Sequence, residues 1–331
     1  MGRGRLVGGN LRALITGVAG FAGSHLADFL LANTSWRVSG SDRPGSNRYN
    51  LQQLEGRLDY LEGDLTDPDQ AMAVYDRVRP DYVFHLAGQA SVADSWSRPW
   101  ETFVVNVRSQ LNLLLAAVKL GPPRGILAVG SADEYGSANA TDSPLSEDRL
   151  LLPSNPYGVS KVAQDLLGYQ YYRGYGLPVV RVRPFNHIGP RQSDSFVASS
   201  FARQIAEAEL GRREPVIRVG NLEVRRDFCD VRDIVRGYYL ALTLGVPGEA
   251  YNIGLGTALR IADLLDILLS MATCQVRVEP DPEKTRPSDV REIRCDCSKF
   301  HAQTGWAPTI GIERTLADLL DYWRIRLRAE T

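Results

Sequence analysis

The sequence predicts an α/β protein, a doubly wound parallel sheet that carries a smaller C-terminal α/β lobe. Three observations predict it. Short apolar strands alternate with helices through the first half of the chain, which implies right-handed crossovers between parallel strands. The segments 82–86 and 125–130 are almost continuously apolar, as strands covered by helices on both faces must be. A glycine-spaced turn joins the first strand to the first helix.

The elements follow in order. Residues 12–15 form a short apolar strand. Phe21, Leu26, Phe29 and Leu30 then recur at helical spacing through 20–32. Strands at 37–41 and 58–62, a helix at 71–78 and the buried strand 82–86 come next. A long helix covers 101–119, followed by the strand 125–130, a helix over 156–175 and a strand at 179–182. Beyond residue 186 the rhythm changes. Shorter strands at 215–219, 250–253 and 276–279 alternate with helices at 196–210, 231–244, 261–271 and 312–326. The stretches 245–248 and 280–288 read as surface loops.

Composition removes several functional classes. The chain has 331 residues and a formal net charge of −1, from 38 basic and 39 acidic residues. Nucleic-acid affinity needs a basic surface, so no nucleic-acid partner is expected. No apolar run approaches the ~20 residues needed to span a bilayer, so no membrane partner is expected either. With 44% hydrophobic and 23% charged residues, disordered and disulfide-rich classes drop out. Cys229, Cys274, Cys295 and Cys297 are too few for a disulfide scaffold, and only His301 lies near the C-x-C pair. Free thiols, no metal site and a reducing cytoplasmic compartment are the expectation. Residues 1–10 read as a mobile tail, because Arg12, Thr16, Gly17 and Gly20 interrupt the apolar stretch that a signal sequence would need.

Gly17, Gly20 and Gly23 are spaced G-x-x-G-x-x-G around Phe21 and Ala22. At a strand-to-helix junction such glycines allow a tight turn and let the backbone approach a pyrophosphate. Asp42 ends the second strand, where a carboxylate can accept from both ribose hydroxyls of an adenosine; this favours NAD. Arg43, next to it, can neutralise a 2′-phosphate and leaves NADP open. Asp64 and Leu65 follow the third strand, either bordering the adenine or, for Asp64, capping the next helix.

Tyr157 and Lys161 are four residues apart near the start of a helix, hence on one face. A neighbouring ammonium stabilises a phenolate, so Tyr157 can exchange a proton with a substrate oxygen. Ser131 follows an apolar strand, and sites in open parallel sheets gather at the carboxyl ends of strands.

On these residues, with Leu86-Ala87-Gly88-Gln89 and Asn106, the sequence resembles the extended short-chain dehydrogenases/reductases of the NAD-dependent epimerase/dehydratase family, over residues 11–328. The resemblance implies a Rossmann-type dinucleotide-binding domain at 11–186 and a nucleotide-sugar substrate lobe at 187–331, interleaved with the last strands of the sheet. It implies that Ser131 orients the substrate oxygen, that Tyr157 is the general acid/base, and that Lys161 holds the nicotinamide ribose and lowers the tyrosine pKa. Leu86, Ala87, Gln89, Asn106 and Pro184 would line the cofactor.

The segments containing Asn186 and Val197, then Phe201 to Gln204, then Arg225, and finally Arg286 with Asp289 are similar to members that handle GDP-mannose. Arg225 and Arg286 can grip a diphosphate, and Asp289 can accept from a guanine edge. Two chemistries compete within that subgroup. Dehydratases carry Thr-Ser-Glu where this chain reads Ser131-Ala132-Asp133, with Glu134 next door. Asp133 or Glu134 would then be the C5/C6 acid/base, and Glu134 would contact substrate. The reductases of GDP-4-keto-6-deoxy-mannose are more similar, and a reductase needs no such base. The expectation is therefore reduction to a GDP-6-deoxyhexose such as GDP-D-rhamnose, with dehydration of GDP-mannose as the alternative. A non-catalytic nucleotide sensor would be expected to lose the tyrosine, the lysine or a loop glycine, and all are present. The apolar breadth of helices 101–119 and 156–175 suggests a homodimer through a four-helix interface.

Overall fold

The computed structural model describes residues 11–136, 144–281 and 292–330. Its elements run β1 (Arg12–Thr16), α1 (Phe21–Asn33), β2 (Arg37–Asp42), β3 (Asp59–Glu62), α2 (Pro68–Val78), β4 (Tyr82–His85), α3 (Val92–Ser97), α4 (Pro99–Phe103), α5 (Ser109–Leu120) and β5 (Gly125–Val129). Then come α6 (Pro156–Tyr175), β6 (Val179–Pro184), β7 (Asn186–Ile188), α7 (Val197–Glu209), β8 (Val216–Val219), β9 (Arg225–Asp230), α8 (Val231–Leu244), β10 (Ala250–Ile253), β11 (Ala258–Arg260), α9 (Ile261–Ser270), β12 (Arg277–Pro280), β13 (Glu292–Ile293), α10 (Ser298–Thr304) and α11 (Ile312–Ala329).

Seven strands form one parallel sheet in the order β10-β6-β5-β4-β1-β2-β3. Because the strands are parallel, all their carboxyl ends share one edge, which is where ligands bind in such folds. The central strands are covered on both faces, which is why Leu14, Ile15, Val83 and Phe84 are fully buried. α1 and α8 pack together on one face, and α2 packs against α5 on the other. The return of α8 and β10 to this sheet means that the C-terminal half contributes to both layers.

A second apolar core lies in the C-terminal lobe, built from Ile188, Phe201, Ile205, Phe228, Leu264, Leu268, Leu316, Leu320 and Trp323. It sits between α7, α9 and α11 and a small sheet that sequence patterning did not reveal. In that sheet β9 pairs with β7, β11 and β13. β7, β11 and β13 are too short to show a period of two.

The run from Pro99 to Leu120 is one helical stretch and, among the described residues, the one helix long and apolar enough to cross a bilayer. Leu113, Leu114, Ala116 and Ala117 are instead packed against α2 and the sheet. A π turn, Val104–Arg108, interrupts it between α4 and α5. Such turns re-aim side chains at functional sites, and this one carries Asn106.

Candidate active site

The glycine turn comes first. Gly17 has φ +71 and a Cβ there would lie 2.8 Å from the Ala87 backbone. A Cβ on Gly23 would lie 2.2 Å from the Gly17 carbonyl oxygen. Only glycine lets the chain fold this closely. The first turn of α1 has neither an acidic residue nor a side-chain cap, so its positive end is left to an anion. Phe21 stacks on His187 at 5.7 Å and 8°, joining this turn to the second lobe, while Ala22 is half-buried beside it.

Asp42 Oδ2 accepts from the Ala19 N–H at 2.7 Å, which aims the carboxylate at the glycine turn. Burial raises its pKa, against the pull of the Ala19 N–H and of Arg43. Arg43 is exposed next to it. Asp64 is not the cap of the next helix, the alternative role expected of it. It accepts from the Thr66 N–H and hydroxyl, and α2 is capped by Asp67, which accepts from Asp69 and Gln70. Leu65 is buried, with its carbonyl accepting from Asn112.

After β4, the Leu86 and Ala87 amides donate to the Thr16 carbonyl and hydroxyl. Asn106, fully buried, accepts from the Gln89 N–H at 2.7 Å and donates to the Gln89 carbonyl and to Ser160 Oγ at 2.9 Å. The π turn thus ties the cofactor-side loop to the helix that carries Tyr157. Pro184 closes β6 on the same sheet edge, in register with Ile253.

Tyr157, Lys161 and Ser131 meet at this edge. Each is less than a tenth exposed. The Ser131 side chain neighbours the Tyr157 hydroxyl and lowers its pKa. The Lys161 ammonium lies 5.8 Å from the Tyr157 ring centroid. It donates to the Val129 carbonyl at 2.9 Å, and a Cβ on Gly88 would come within 3.8 Å of it. The pair therefore faces the loop beside the glycine turn.

Burial pushes the Tyr157 phenol well above its ordinary value and the Asp133 carboxylate adds to this, against the Ser131 side chain. Lys161 is itself pushed down, to about 8, by burial against the attraction of Glu134. The phenol is therefore held protonated.

The two adjacent carboxylates have separated fates. Asp133 is half-buried; its Oδ2 accepts from the Ser131 hydroxyl at 3.1 Å and its Oδ1 from Asn155 Nδ2 at 3.1 Å. The expectation that Glu134 contacts substrate or acts on C5 is corrected. Glu134 is fully buried. Its Oε1 accepts from the Ser131 N–H at 2.8 Å and its Oε2 lies 3.2 Å from Arg183 Nε. The short 3-10 turn Ala132–Tyr135, capped by Ser131, folds its side chain back under the strand end at Gly130. Asn155 and Arg183 were not singled out by sequence. Asn155 had a readable signal, as the polar residue just before Pro156 at a helix start, and its Oδ1 accepts from Gly158 N–H.

The residues expected on the substrate side come from three elements of the second lobe. Asn186 opens β7, exposed and in register with Phe228. Val197 opens α7, 36% exposed. Arg225 opens β9, exposed, opposite Arg260 and Glu292. Arg286 and Asp289 lie outside the described residues.

A glycine turn feeding a helix, a carboxylate ending β2, and a Ser–Tyr–Lys cluster at the carboxyl edge of a doubly wound sheet define an extended short-chain dehydrogenase/reductase. Residues 14–319 match the family model described as GDP-mannose 4,6 dehydratase, and the chain belongs to that family. GDP-6-deoxy-D-mannose reductase of Pseudomonas aeruginosa is 36% identical over 320 residues, covering 96% of this chain and 99% of the relative. GDP-mannose 4,6 dehydratase 1 of Arabidopsis thaliana is 30% identical over 328 residues, covering 93% of this chain and 88% of the relative. Among solved structures, RMD from Pseudomonas aeruginosa complexed with NADPH is similar at a TM-score of 0.84 and 34% identity, covering 96% of this chain and 99% of that one. UDP-glucose 4-epimerase from Thermotoga maritima with UDP-glucose gives 0.85 at 29% identity, covering 96% and 100%.

Proposed function

We propose that this protein is a nucleotide-sugar reductase, converting the C4 ketone of GDP-4-keto-6-deoxy-D-mannose to an alcohol with NAD(P)H and yielding a GDP-6-deoxyhexose such as GDP-D-rhamnose. The observation that carries the reading is the state of the carboxylates. A dehydratase needs a free carboxylate over C5 and C6. Here the position of the dehydratase glutamate is held by Asp133, one methylene shorter and tied back to Ser131 and Asn155, and Glu134 is buried beneath the strand end. Reduction asks only for a proton donor, and Tyr157 is held in that form. The reductase relative covering 99% of its own length supports the same reading.

The glycine turn from Gly17 to Gly23 would hold the cofactor pyrophosphate, Asp42 the adenosine ribose, and Lys161 the nicotinamide ribose. When bound, the reduced nicotinamide supplies the hydride. Ser131 polarises the C4 carbonyl by hydrogen bonding, and Tyr157 gives its proton to the C4 oxygen as charge develops there. The phenolate left behind is stabilised by the Lys161 ammonium, which has two further N–H donors beyond the one to Val129. Asn186, Val197 and Arg225 would line the sugar and diphosphate, with Arg286 and Asp289 completing the nucleotide end. A polar cavity of about 330 Å³ involving Ser200, Gln204 and Arg218 continues the face of α7 that starts at Val197, since 197, 200 and 204 share one helical face. Asp42 favours NADH, because a half-buried carboxylate opposes a 2′-phosphate. Four free thiols suit a reducing cytoplasm.

The test is incubation with GDP-mannose and, separately, with its 4-keto-6-deoxy derivative, each with NADH and with NADPH. Consumption of reduced cofactor with the keto sugar alone is expected, faster with NADH. Conversion of GDP-mannose itself would establish the dehydratase chemistry, and a strict NADPH requirement would remove Asp42 as the ribose reader.

The same reading includes a homodimer. Leu115 and Val118 on α5 and Val159, Leu166 and Tyr169 on α6 are each more than a third exposed. The two helices pack side by side, so these side chains form one apolar surface suited to a two-fold pairing. Leu166→Glu is expected to yield folded monomers in sedimentation velocity. A wild-type chain that sediments as a monomer would refute the dimer.

A further inference from the structure

The buried charges beneath the site have no part in the chemistry described above, although they are costly to bury. Arg183 Nε lies 3.2 Å from Glu134 Oε2 and 3.0 Å from Asp165 Oδ2, and its Nη1 donates to the Tyr135 hydroxyl at 3.0 Å. Asp165 is shared with Arg181. All of Glu134, Asp165 and Arg183 are less than a twentieth exposed. A stability role alone would not need a carboxylate at the catalytic serine, since apolar side chains of similar volume usually serve as well.

Building on the reductase reading, we propose that Glu134 is a positioning residue: it fixes the Ser131 backbone through Oε1 and sets the electrostatic potential at Lys161 and Tyr157 from beneath the cleft. The geometry has two parts. Ser131 and Glu134 form a reciprocal cap, in which Ser131 Oγ accepts from the Asp133 N–H and Glu134 Oε1 accepts from the Ser131 N–H. That cap locks the serine whose hydroxyl faces Tyr157. The carboxylate also sits so close under Gly130 that a Cβ there would touch Oε1 at 2.0 Å, which presses it against the strand end. The groups facing it are Ser131 and Tyr135 on its own turn, Arg183 on β6, and Asp165, Lys161 and Tyr157 on α6. Burial and Asp165 raise the Glu134 pKa to about 8, against Arg183, so its charge develops over the same alkaline range in which Lys161 loses its proton. Glu134 in turn favours the charged form of Lys161.

Two substitutions separate the parts. Glu134→Gln keeps an acceptor for the Ser131 N–H and removes the charge. Its Lys161 then loses the proton at lower pH, and the basic limb of kcat/KM is expected to move down by about one pH unit. Glu134→Asp keeps the charge and shortens the reach. Its basic limb stays put while kcat falls on the order of tenfold or more at unchanged KM, because a shift near 1 Å at a reacting group costs up to ~10²-fold. A Glu134→Gln profile that superimposes on wild type overturns the electrostatic part, and an unchanged kcat in Glu134→Asp overturns the positional part. Either variant decides its own half if the other fails to fold. NAD(P)H affinity, followed by nicotinamide fluorescence from neutral to alkaline pH, reads the Lys161 shift without any turnover. A wild-type protein inert toward the keto sugar would sink the reductase reading, while that binding titration still decides the role of Glu134.

Discussion

Tyr157→Phe is expected to cost ~10³-fold in turnover of the keto sugar while leaving GDP binding within error of wild type. The magnitude is that of losing one general acid. Phenylalanine keeps the ring and its volume, and the ring is 8% exposed, so packing is preserved. What disappears is a hydroxyl beside Ser131, held protonated by burial and by Asp133. The Ser131 hydroxyl stays in place and can turn its one proton from Asp133 to the carbonyl. The loss should therefore fall on kcat and leave KM nearly unchanged, the signature of an interaction made only in the transition state. Single-turnover mixing of enzyme, NAD(P)H and keto sugar reads the step directly, and calorimetric titration with GDP checks binding. Substantial residual turnover would remove Tyr157 as the donor.

The fold was legible where the signal was local. The short apolar run Ala13-Leu-Ile15 reads as a strand because the glycines just after it announce a turn. The Tyr157–Lys161 spacing and the position of Ser131 at a strand end were likewise readable one segment at a time. What escaped depends on distant partners. Glu134 looks like a cleft carboxylate until Arg183, on another strand, is seen drawing it inward. The effect of Lys161 on Tyr157 depends on burial of both groups, which no spacing reveals. β9 pairs with three strands drawn from residues 186–188, 258–260 and 292–293, and segments of two or three residues carry no periodicity. The Ser131-x-x-Glu134 pattern was itself a capping signature, and its physical reading would have pointed Glu134 at a backbone N–H instead of at a substrate.

Gly23→Ala is expected to weaken NAD(P)H binding by ~10²-fold and to lower stability by roughly 1–3 kcal/mol, the cost of one overpacked methyl. The added Cβ would sit 2.2 Å from the Gly17 carbonyl oxygen, 2.9 Å from Val18 Cα and 3.0 Å from the Gly17 carbonyl carbon. All three are backbone atoms, so no side-chain rotation relieves the clash. Gly17 cannot retreat, because its own Cα faces the Ala87 backbone and its N–H donates to the Ser41 carbonyl at 2.8 Å. α1 would have to move, yet Leu26, Ala27 and Leu30 are fully buried in the core shared with α8. Any compromise separates the glycine turn from the helix terminus, and that separation falls on the anion cradle they form together. Gly20→Ala is the contrast for stability alone, since Gly20 is itself part of the cradle: its Cβ would meet only the Gly17 oxygen, at 3.1 Å, a contact that a small adjustment removes. Thermal unfolding separates the two variants, and fluorescence titration with NAD(P)H reads the binding loss in Gly23→Ala. Equal affinity in Gly23→Ala and wild type would mean that the turn yields without loss, and the pyrophosphate would then have to rest on some other part of the sheet edge.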